Sequence, residues 1–148
     1  MWTITLTEQL RYYLNDADSV TYSDARLSKF IAFAALELIG RFGLTSNYSV
    51  NITTPSITPD PEDDPSFASL LVLKAAEIVL RNEIKQLAIT AGYKVTDDRS
   101  SIDGANALKA YKDLLDMYSD NCDKAESAYA MGNGGIGIAI LSPYTQGG

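Results

Sequence analysis

The residue types that carry most enzymatic and metal-binding chemistry are scarce in this sequence. The chain contains no histidine, which excludes a Ser-His-Asp triad, a Cys-His dyad and any histidine-ligated metal site. Its single cysteine, Cys122, permits neither an intrachain disulfide nor a cysteine-based zinc site. Cys122 also falls on an apolar helical stripe, which favours a small buried thiol over a nucleophile. We therefore expect no catalytic residue, no metal and no cofactor.

Two motifs match known binding sequences only in part. Residues 132–137 satisfy the pattern G-x-G-x-x-G, but the dinucleotide-binding fingerprint needs a strand before it and a helix after it. A long helical pattern precedes the motif here, which favours a flexible hinge at the base of an arm. The acidic run from Asp60 to Asp64 fails as an EF-hand loop, because Pro65 and Leu71 stand where that loop needs Gly and Glu. We interpret it as a solvated loop stiffened by prolines.

The composition indicates one globular domain whose partners are proteins. A chain of 148 residues, 46% of them hydrophobic, can bury a core without disulfides. Its net charge of −7 argues against wrapping nucleic acid, because neutralising phosphates requires clustered Lys and Arg. The sequence shows no secretory signal, and no apolar run approaches the ~20 residues of a membrane span. We expect a protein made in a cytoplasm, without membrane association.

Hydrophobic periodicity predicts an all-α fold, a four-helix bundle with one short helix and three longer ones. We expect the short first helix to be capped by Thr7 and to end near Asn15. The second helix carries the clearest signals, because Ser23 is a good N-cap and Gly43 suits the residue that follows a helix end. A buried stripe at steps of three and four residues joins these two signals. The second helix is therefore predicted over 24–42.

The third and fourth helices are predicted to complete the bundle. The third begins at Pro65, with Asp64 as its cap, and ends near Ala91; its wide apolar surface makes it the central helix. The fourth follows a capping-box pattern at Ser100 and carries an apolar stripe with heptad-like spacing. Three tyrosines on that stripe indicate that one edge of the helix–helix contact is hydrated, since each hydroxyl requires a partner or water. The stripe consists of Leu108, Tyr111, Leu115, Tyr118, Cys122, Ala125 and Tyr129.

Two extended segments are the candidate interaction sites. Residues 47–64 contain alternating apolar side chains and prolines, which predicts a small β-hairpin or extended loop projecting from the helical domain of residues 1–131. Residues 132–148 form a glycine-rich arm in which large and small residues alternate. An isolated strand of this kind must pair with another edge or another chain. The candidate contact residues are Tyr48, Val50, Ile52 and Ile57 in the loop, and Ile136, Ile138, Ile140, Leu141 and Tyr144 in the arm.

The order of these elements resembles the head–tail connector proteins of long-tailed bacteriophages, also called adaptor or head-completion proteins. Three stretches carry the resemblance: SDARLSKFIAFAALELI, FASLLVLKAAEIVLRNE and VTDDRSSIDGANALKAYKDLLDMYSDNCDKAESAY. In that family the last helix typically starts with an acidic-Ser-Ile-Asp pattern and carries tyrosines. The resemblance covers nearly all of residues 7–130, and the arm after Met131 has no counterpart among these motifs.

This resemblance implies a structural virion protein located at the head–tail junction and assembled in the host cytoplasm. Such proteins form a ring, usually twelve-fold, below the portal protein, where the ring extends the DNA channel and docks the next neck component. By analogy, the arm would bind the portal or a neighbouring copy, and the loop would contact a neighbour or the stopper or tail protein below. DNA would pass through transiently and non-specifically, because an acidic channel repels phosphate.

Three other functions are compatible with the sequence. One is a different neck component, a stopper or terminator, although these tend to be rich in β-structure. Another is a small helical adaptor or regulatory protein, non-viral or directed at a host protein, which predicts a monomer or dimer without affinity for a portal. The third is an enzyme that relies on Asp and Glu alone, but no pair of carboxylates is placed at a converging apolar pocket by the predicted pattern.

Overall fold

The computed structural model describes residues 1–44, 47–93 and 100–134. These residues are mostly helical and include a small antiparallel sheet, as the sequence predicts. The helices are α1 (Trp2–Tyr13), α2 (Asp24–Phe42), α3 (Pro65–Tyr93) and α4 (Ser100–Gly134). The strands β1 (Ser49–Asn51) and β2 (Ser56–Thr58) and a 3-10 turn over Pro61–Asp63 lie between α2 and α3 in the sequence.

Helix α2 has the predicted bounds because side-chain and backbone caps fix both of its ends. The hydroxyl of Ser23 accepts a hydrogen bond from the backbone N–H of Arg26 at 3.3 Å. Gly43 has φ 67°, the left-handed conformation that glycine adopts without strain, and its N–H donates to the carbonyl of Ile39. Between these caps Leu27 and Leu38 of the stripe are fully buried, whereas Phe30 and Phe42 are half-buried.

Helix α1 begins earlier than predicted. It starts at Trp2, and the expectation that Thr7 caps it is wrong. Trp2, Leu6 and Leu10 recur at four-residue steps and are at most 4% exposed, so their burial stabilises the first turn in place of a side-chain cap. Thr7 lies inside the helix, 2% exposed, with its hydroxyl 3.5 Å from that of Ser28 on α2.

Helix α3 is the central helix of the described residues and contacts each of the other three. It begins at Pro65 as predicted, because Asp64 Oδ1 accepts hydrogen bonds from two backbone N–H groups of the first turn, both at 3.1 Å. The helix continues to Tyr93, past the predicted end near Ala91. A glycine inside a helix costs about 1 kcal/mol relative to alanine, which is too little for Gly92 to terminate it.

Helix α4 packs its predicted stripe against the rest of the molecule. Cys122 and Tyr129 are buried, whereas Tyr111, nearer the start of the helix, is 37% exposed. Two of the three tyrosine hydroxyls on this stripe donate hydrogen bonds to polar groups of the chain. Tyr118 donates to the backbone carbonyl of Tyr13 at 2.8 Å, and Tyr129 donates to Asp64 at 3.3 Å.

The two strands form the small hairpin that the alternating pattern predicts. β1 pairs antiparallel with β2, and Val50 lies opposite Ile57. Asn51 Oδ1 accepts the backbone N–H groups of Thr53 and Thr54 at 2.9 and 3.2 Å, which closes the turn between the strands. Both strands contact α2, so the hairpin lies against the helices.

Candidate functional site

The predicted loop residues pack mainly on the helical core. Ile57 is 4% exposed and belongs to that core, and Val50 is half-buried against it. The ring of Tyr48 stacks on that of Phe67, with centroids 4.7 Å apart. Ile52, at the end of the hairpin, is half-buried and lines a groove between α2 and α3. The hairpin therefore packs Ile57 inside the core and leaves Tyr48, Val50 and Ile52 partly exposed, and the role of these residues in contacts with a partner stays a prediction.

The predicted arm residues lie outside the described part of the chain. This applies to the contact residues Ile136, Ile138, Ile140, Leu141 and Tyr144. Helix α4 itself runs past Met131, where we placed the end of the helical domain, and is described as far as Gly134.

A buried ionic cluster joins α3 to α4. The ammonium of Lys74, 4% exposed, donates to Glu77 at 3.0 Å and lies 3.5 Å from the carboxylate of Glu126. Burial alone would lower the pKa of Lys74, but the hydrogen bond and the charge of Glu77 outweigh it, so this pKa is raised. The lysine is therefore charged, with Glu77 and Glu126 as its near counter-ions and Glu37 on α2 at 3.8 Å.

Each buried carboxylate of this cluster has a second cation nearer the surface. Arg41 on α2 pairs with Glu126, and Arg81 pairs with Glu77 one turn further along α3. These pairs compensate charges that would be costly to bury alone. The cluster thus links three helices by ionic contacts and has a structural role.

Cys122 lies beside this cluster as an inert thiol. It is fully buried, and its sulfur is 3.9 Å from Glu126. Burial raises the pKa of the thiol to about 12. Because the thiolate is the nucleophilic form, a thiol that remains protonated at neutral pH is unsuited to nucleophilic chemistry.

A second ionic cluster holds the corner between α1 and α2. The guanidinium of Arg11, which is 5% exposed, donates to Asp16 at 2.6 Å and to the carbonyl of Tyr22 at 2.8 Å, and it also pairs with Asp24. Asp16 accepts the backbone N–H of Thr21 at 2.8 Å. That hydrogen bond is the largest cause of a lowered pKa at Asp16.

The groove between α2 and α3 combines an apolar floor with a cationic rim. Its volume is about 550 Å³. Phe30, Phe33 and Ile78 line it, and the side chain of Phe33 is 42% exposed. We call this site the basic groove, after the four cations that line it: Arg26, Lys29, Arg81 and Lys85.

Two of these cations are available for a partner. Lys29 and Lys85 are exposed, and neither forms an ion pair with another residue of the described chain. Arg26 instead covers the rings of Tyr22 and Phe30, with its guanidinium carbon 5.4 and 5.7 Å from their centroids. These cations and Phe33 give the acidic chain a surface on which positive charge lies beside an exposed aromatic ring.

The outer face of α4 carries charges of both signs. Asp113, Asp116 and Asp120 follow each other at helical steps of three and four residues, and all three are exposed. Each of them has an exposed lysine four residues away along the helix: Lys109, Lys112 and Lys124, respectively. Lys124 pairs with Asp120 at 2.6 Å. These side chains therefore give the face no net charge.

Sequence reasoning did not identify the basic groove. The period of 3.6 residues finds a buried stripe on a single helix. The groove exists only where α2 and α3, two helices distant in sequence, pack side by side.

Within the described ranges, no group of three or more Cys, Asp or Glu side chains is arranged to hold a metal ion. None of the described helices combines the length and the apolar composition needed to cross a bilayer. Among the described residues, the surface that stands out is the basic groove.

Comparison with known proteins yields no relative for this chain: no family model, no curated protein and no solved structure matches it.

Proposed function

We propose that this protein is a structural virion protein that forms a ring below the portal of a long-tailed bacteriophage and joins the head to the tail. In this proposal, twelve copies of a four-helix bundle surround the DNA channel. The portal protein lies above the ring and a stopper or tail protein below it. The acidic character of the chain, −7 per copy, keeps the passing DNA from adhering to the channel.

The observation that carries this proposal is the distribution of charged and apolar side chains. The buried charged groups have partners inside the chain, while large apolar side chains stay on the surface in pairs one helical turn apart. Phe33 and Leu36 on α2 are each 42% exposed, and Leu114 and Met117 on α4 are 38% and 52% exposed. Exposed apolar patches mark sites of protein interaction. A protein that assembles with other proteins is expected to carry such exposed apolar pairs.

The arm and the hairpin have separate roles in the proposal. The arm of residues 132–148 binds the portal or a neighbouring copy, because its apolar segment pairs as a strand with an edge of that partner. The hairpin meets the neighbouring copy or the protein below through its turn, where Thr53 and Thr54 are exposed. Ile57 supports this turn from the core.

The role of the arm can be tested with purified protein and portal-bearing heads that lack this protein. A chain that ends at Gly134 retains all the described helices. We expect the full chain to co-sediment with the heads, and the shortened chain to stay in the supernatant with unchanged helicity per residue by circular dichroism. In the full-length chain, Ile138→Asp with Ile140→Asp should also abolish binding, whereas Ile138→Val with Ile140→Val should preserve it.

Two outcomes would contradict this proposal. If the shortened chain binds the heads as well as the full chain does, the arm is not the portal-binding element. If the full chain stays monomeric and never binds the heads, the ring proposal itself fails, and a helical adaptor for another protein becomes the better interpretation.

A further inference from the structure

We infer that, in the free chain, the apolar segment of the arm lies in a groove between α3 and α4 of the same molecule. The apolar segment comprises residues 136–141. The groove has a volume of about 390 Å³, and we call it the neutral groove. The side chains that line it include Ser66, Ser69, Leu70, Leu73, Ala128 and Tyr129. The inference concerns the molecule before assembly and is independent of the proposed ring.

The groove and the segment match in polarity. None of the described residues that line the neutral groove is charged, and residues 132–148 contain no Asp, Glu, Lys or Arg. The basic groove, by contrast, is lined by four cations and Glu37. Covering charged groups with an apolar segment removes them from water, which is costly. The uncharged segment is therefore better accommodated by the neutral groove.

The neutral groove combines an apolar base with small side chains at its edge. Leu70 and Tyr129 are 1% and 7% exposed, and the ring of Tyr129 packs against that of Phe67 in the core. Ser69 and Ala128 are exposed and small, so they leave this base accessible. Ligand pockets typically measure about 300–1,000 Å³, so the groove is large enough to take several side chains.

The apolar segment can present its large side chains together. In an extended chain, successive side chains point to opposite sides. Ile136, Ile138 and Ile140 then share one side, and Gly137 and Ala139 lie on the other. Entry of the three isoleucines into the groove removes their apolar surface from water, which stabilises the docked arm.

The end of α4 brings the segment to the groove. Gly132 lines the neutral groove, and α4 is described as far as Gly134, two residues later. The groove follows α4 from Ala125 to Gly132, a length of ~10 Å at ~1.5 Å per residue. Residues 136–140 span ~13 Å in an extended chain at ~3.3 Å per residue, so they cover this length by running back along the helix. Gly134 and Gly135 stand where the chain has to reverse, and glycine adopts the positive φ of such a turn without strain.

The covalent connection favours the molecule's own arm over that of a neighbour. A short flexible connection gives a tethered group an effective concentration on the order of 1 mM, which a neighbouring copy in dilute solution does not reach. Docking also covers an apolar strand that would otherwise pair with other chains. Binding of the arm to a partner then requires its release from the groove.

Disulfide crosslinking of the full-length chain tests this contact. We compare a groove pair, Ser69→Cys with Ile138→Cys, and a control pair, Ser127→Cys with Ile138→Cys. Ser127 is exposed on α4 next to Ala128, and it is not among the residues that line the groove. An arm without a preferred position would reach both sites. The native Cys122 is fully buried, and wild type is the control for it.

The rate of intrachain crosslinking is the readout. Each variant is treated with oxidised glutathione in the absence of heads, and the products are separated on a non-reducing gel. We expect the groove pair to form its disulfide about tenfold faster than the control pair, because docking raises the effective concentration of the two thiols. Mass spectrometry of tryptic peptides identifies the linked residues.

A second pair of variants tests the groove without added cysteines. Ala128→Lys places a charge in the neutral groove, whereas Ser127→Lys places the same charge on the adjacent exposed residue. Chymotrypsin cleaves the arm after Leu141 and Tyr144. We expect about tenfold faster cleavage in Ala128→Lys than in wild type, because proteolysis follows the population of the open form. Ser127→Lys should be cleaved at the wild-type rate, and both variants should retain wild-type circular dichroism.

Three results would overturn the inference. If the groove pair and the control pair crosslink at the same rate, the arm has no preferred contact with the groove. If the groove pair yields disulfide-linked dimers in place of an intrachain product, a neighbour's arm occupies the groove. If Ala128→Lys leaves the cleavage rate unchanged, the groove does not hold the arm. Because no heads are present in these measurements, such results leave the proposed ring untouched, and a failure to bind heads leaves the docking untouched.

Discussion

Lys74 illustrates how charge is used at the scale of single residues. The helical period places it among apolar side chains on α3, so its burial was predictable from the sequence. Its contact with Glu126 was not, because that pairing requires the packing of α4 against α3. Buried ionic groups of this kind contribute little net free energy when paired, but leaving one of them unpaired is costly.

Replacing Lys74 by Met should destabilise the protein strongly. The substitution leaves Glu77 and Glu126 buried with only their outer cations, and we expect a loss of about 3 kcal/mol in the free energy of unfolding. Lys124→Met is the matched control, because its pair with Asp120 is exposed and contributes about 0.5 kcal/mol or less. Urea denaturation of both variants measures the difference. If both variants lose the same free energy of unfolding, Lys74 does not compensate the buried charges of Glu77 and Glu126.

The pKa shift of Asp16 predicts a defined dependence of stability on pH. Because its folded-state pKa is lowered, ionised Asp16 stabilises the native state above the unfolded-state pKa of about 4, and this contribution is lost as pH falls through the folded-state value. Asp16→Asn should therefore lose less stability than wild type on acidification below about pH 4. Urea denaturation at several pH values gives the slopes. Asp18→Asn, the same substitution at an exposed neighbouring position, is the matched control.

At the scale of elements, helix ends were predictable where local chemistry determines them. Ser23 and Gly43 fix α2, and Asp64 fixes the start of α3. The start of α1 was missed because no side chain caps it and the burial of Trp2 determines it instead. The hairpin was predicted from its period of two, but its position against the helices depends on the contact between Tyr48 and Phe67, which no local pattern contains.

Gly40 in α2 and Gly43 directly after it should respond oppositely to the same substitution. Gly40 lies within the helix, and a Cβ added there meets no atom within 4 Å, so Gly40→Ala should raise the free energy of unfolding by about 0.5–1 kcal/mol. Gly43 has φ 67°, where a side chain is strained, so Gly43→Ala should lower it by about 1 kcal/mol. Thermal unfolding of both variants tests this. A shift in the same direction for both would contradict the described conformation of the α2 end.

At the scale of the whole molecule, the sequence predicted the class of fold and a role in protein assembly, but it did not locate the surfaces. The basic groove depends on residues such as Lys29 and Lys85, which lie on different helices and meet only in the folded chain. An isolated sequence pattern describes one helix at a time and cannot show a groove between two.

The central claim is that many copies of this chain assemble into a ring under a portal, and imaging tests it most directly. Purified protein would be added to portal-bearing heads that lack it, and the head vertex would be imaged by electron microscopy with symmetry analysis. We predict an added annular density below the portal, closed and of regular rotational symmetry. A bare portal in the presence of excess protein would contradict the account.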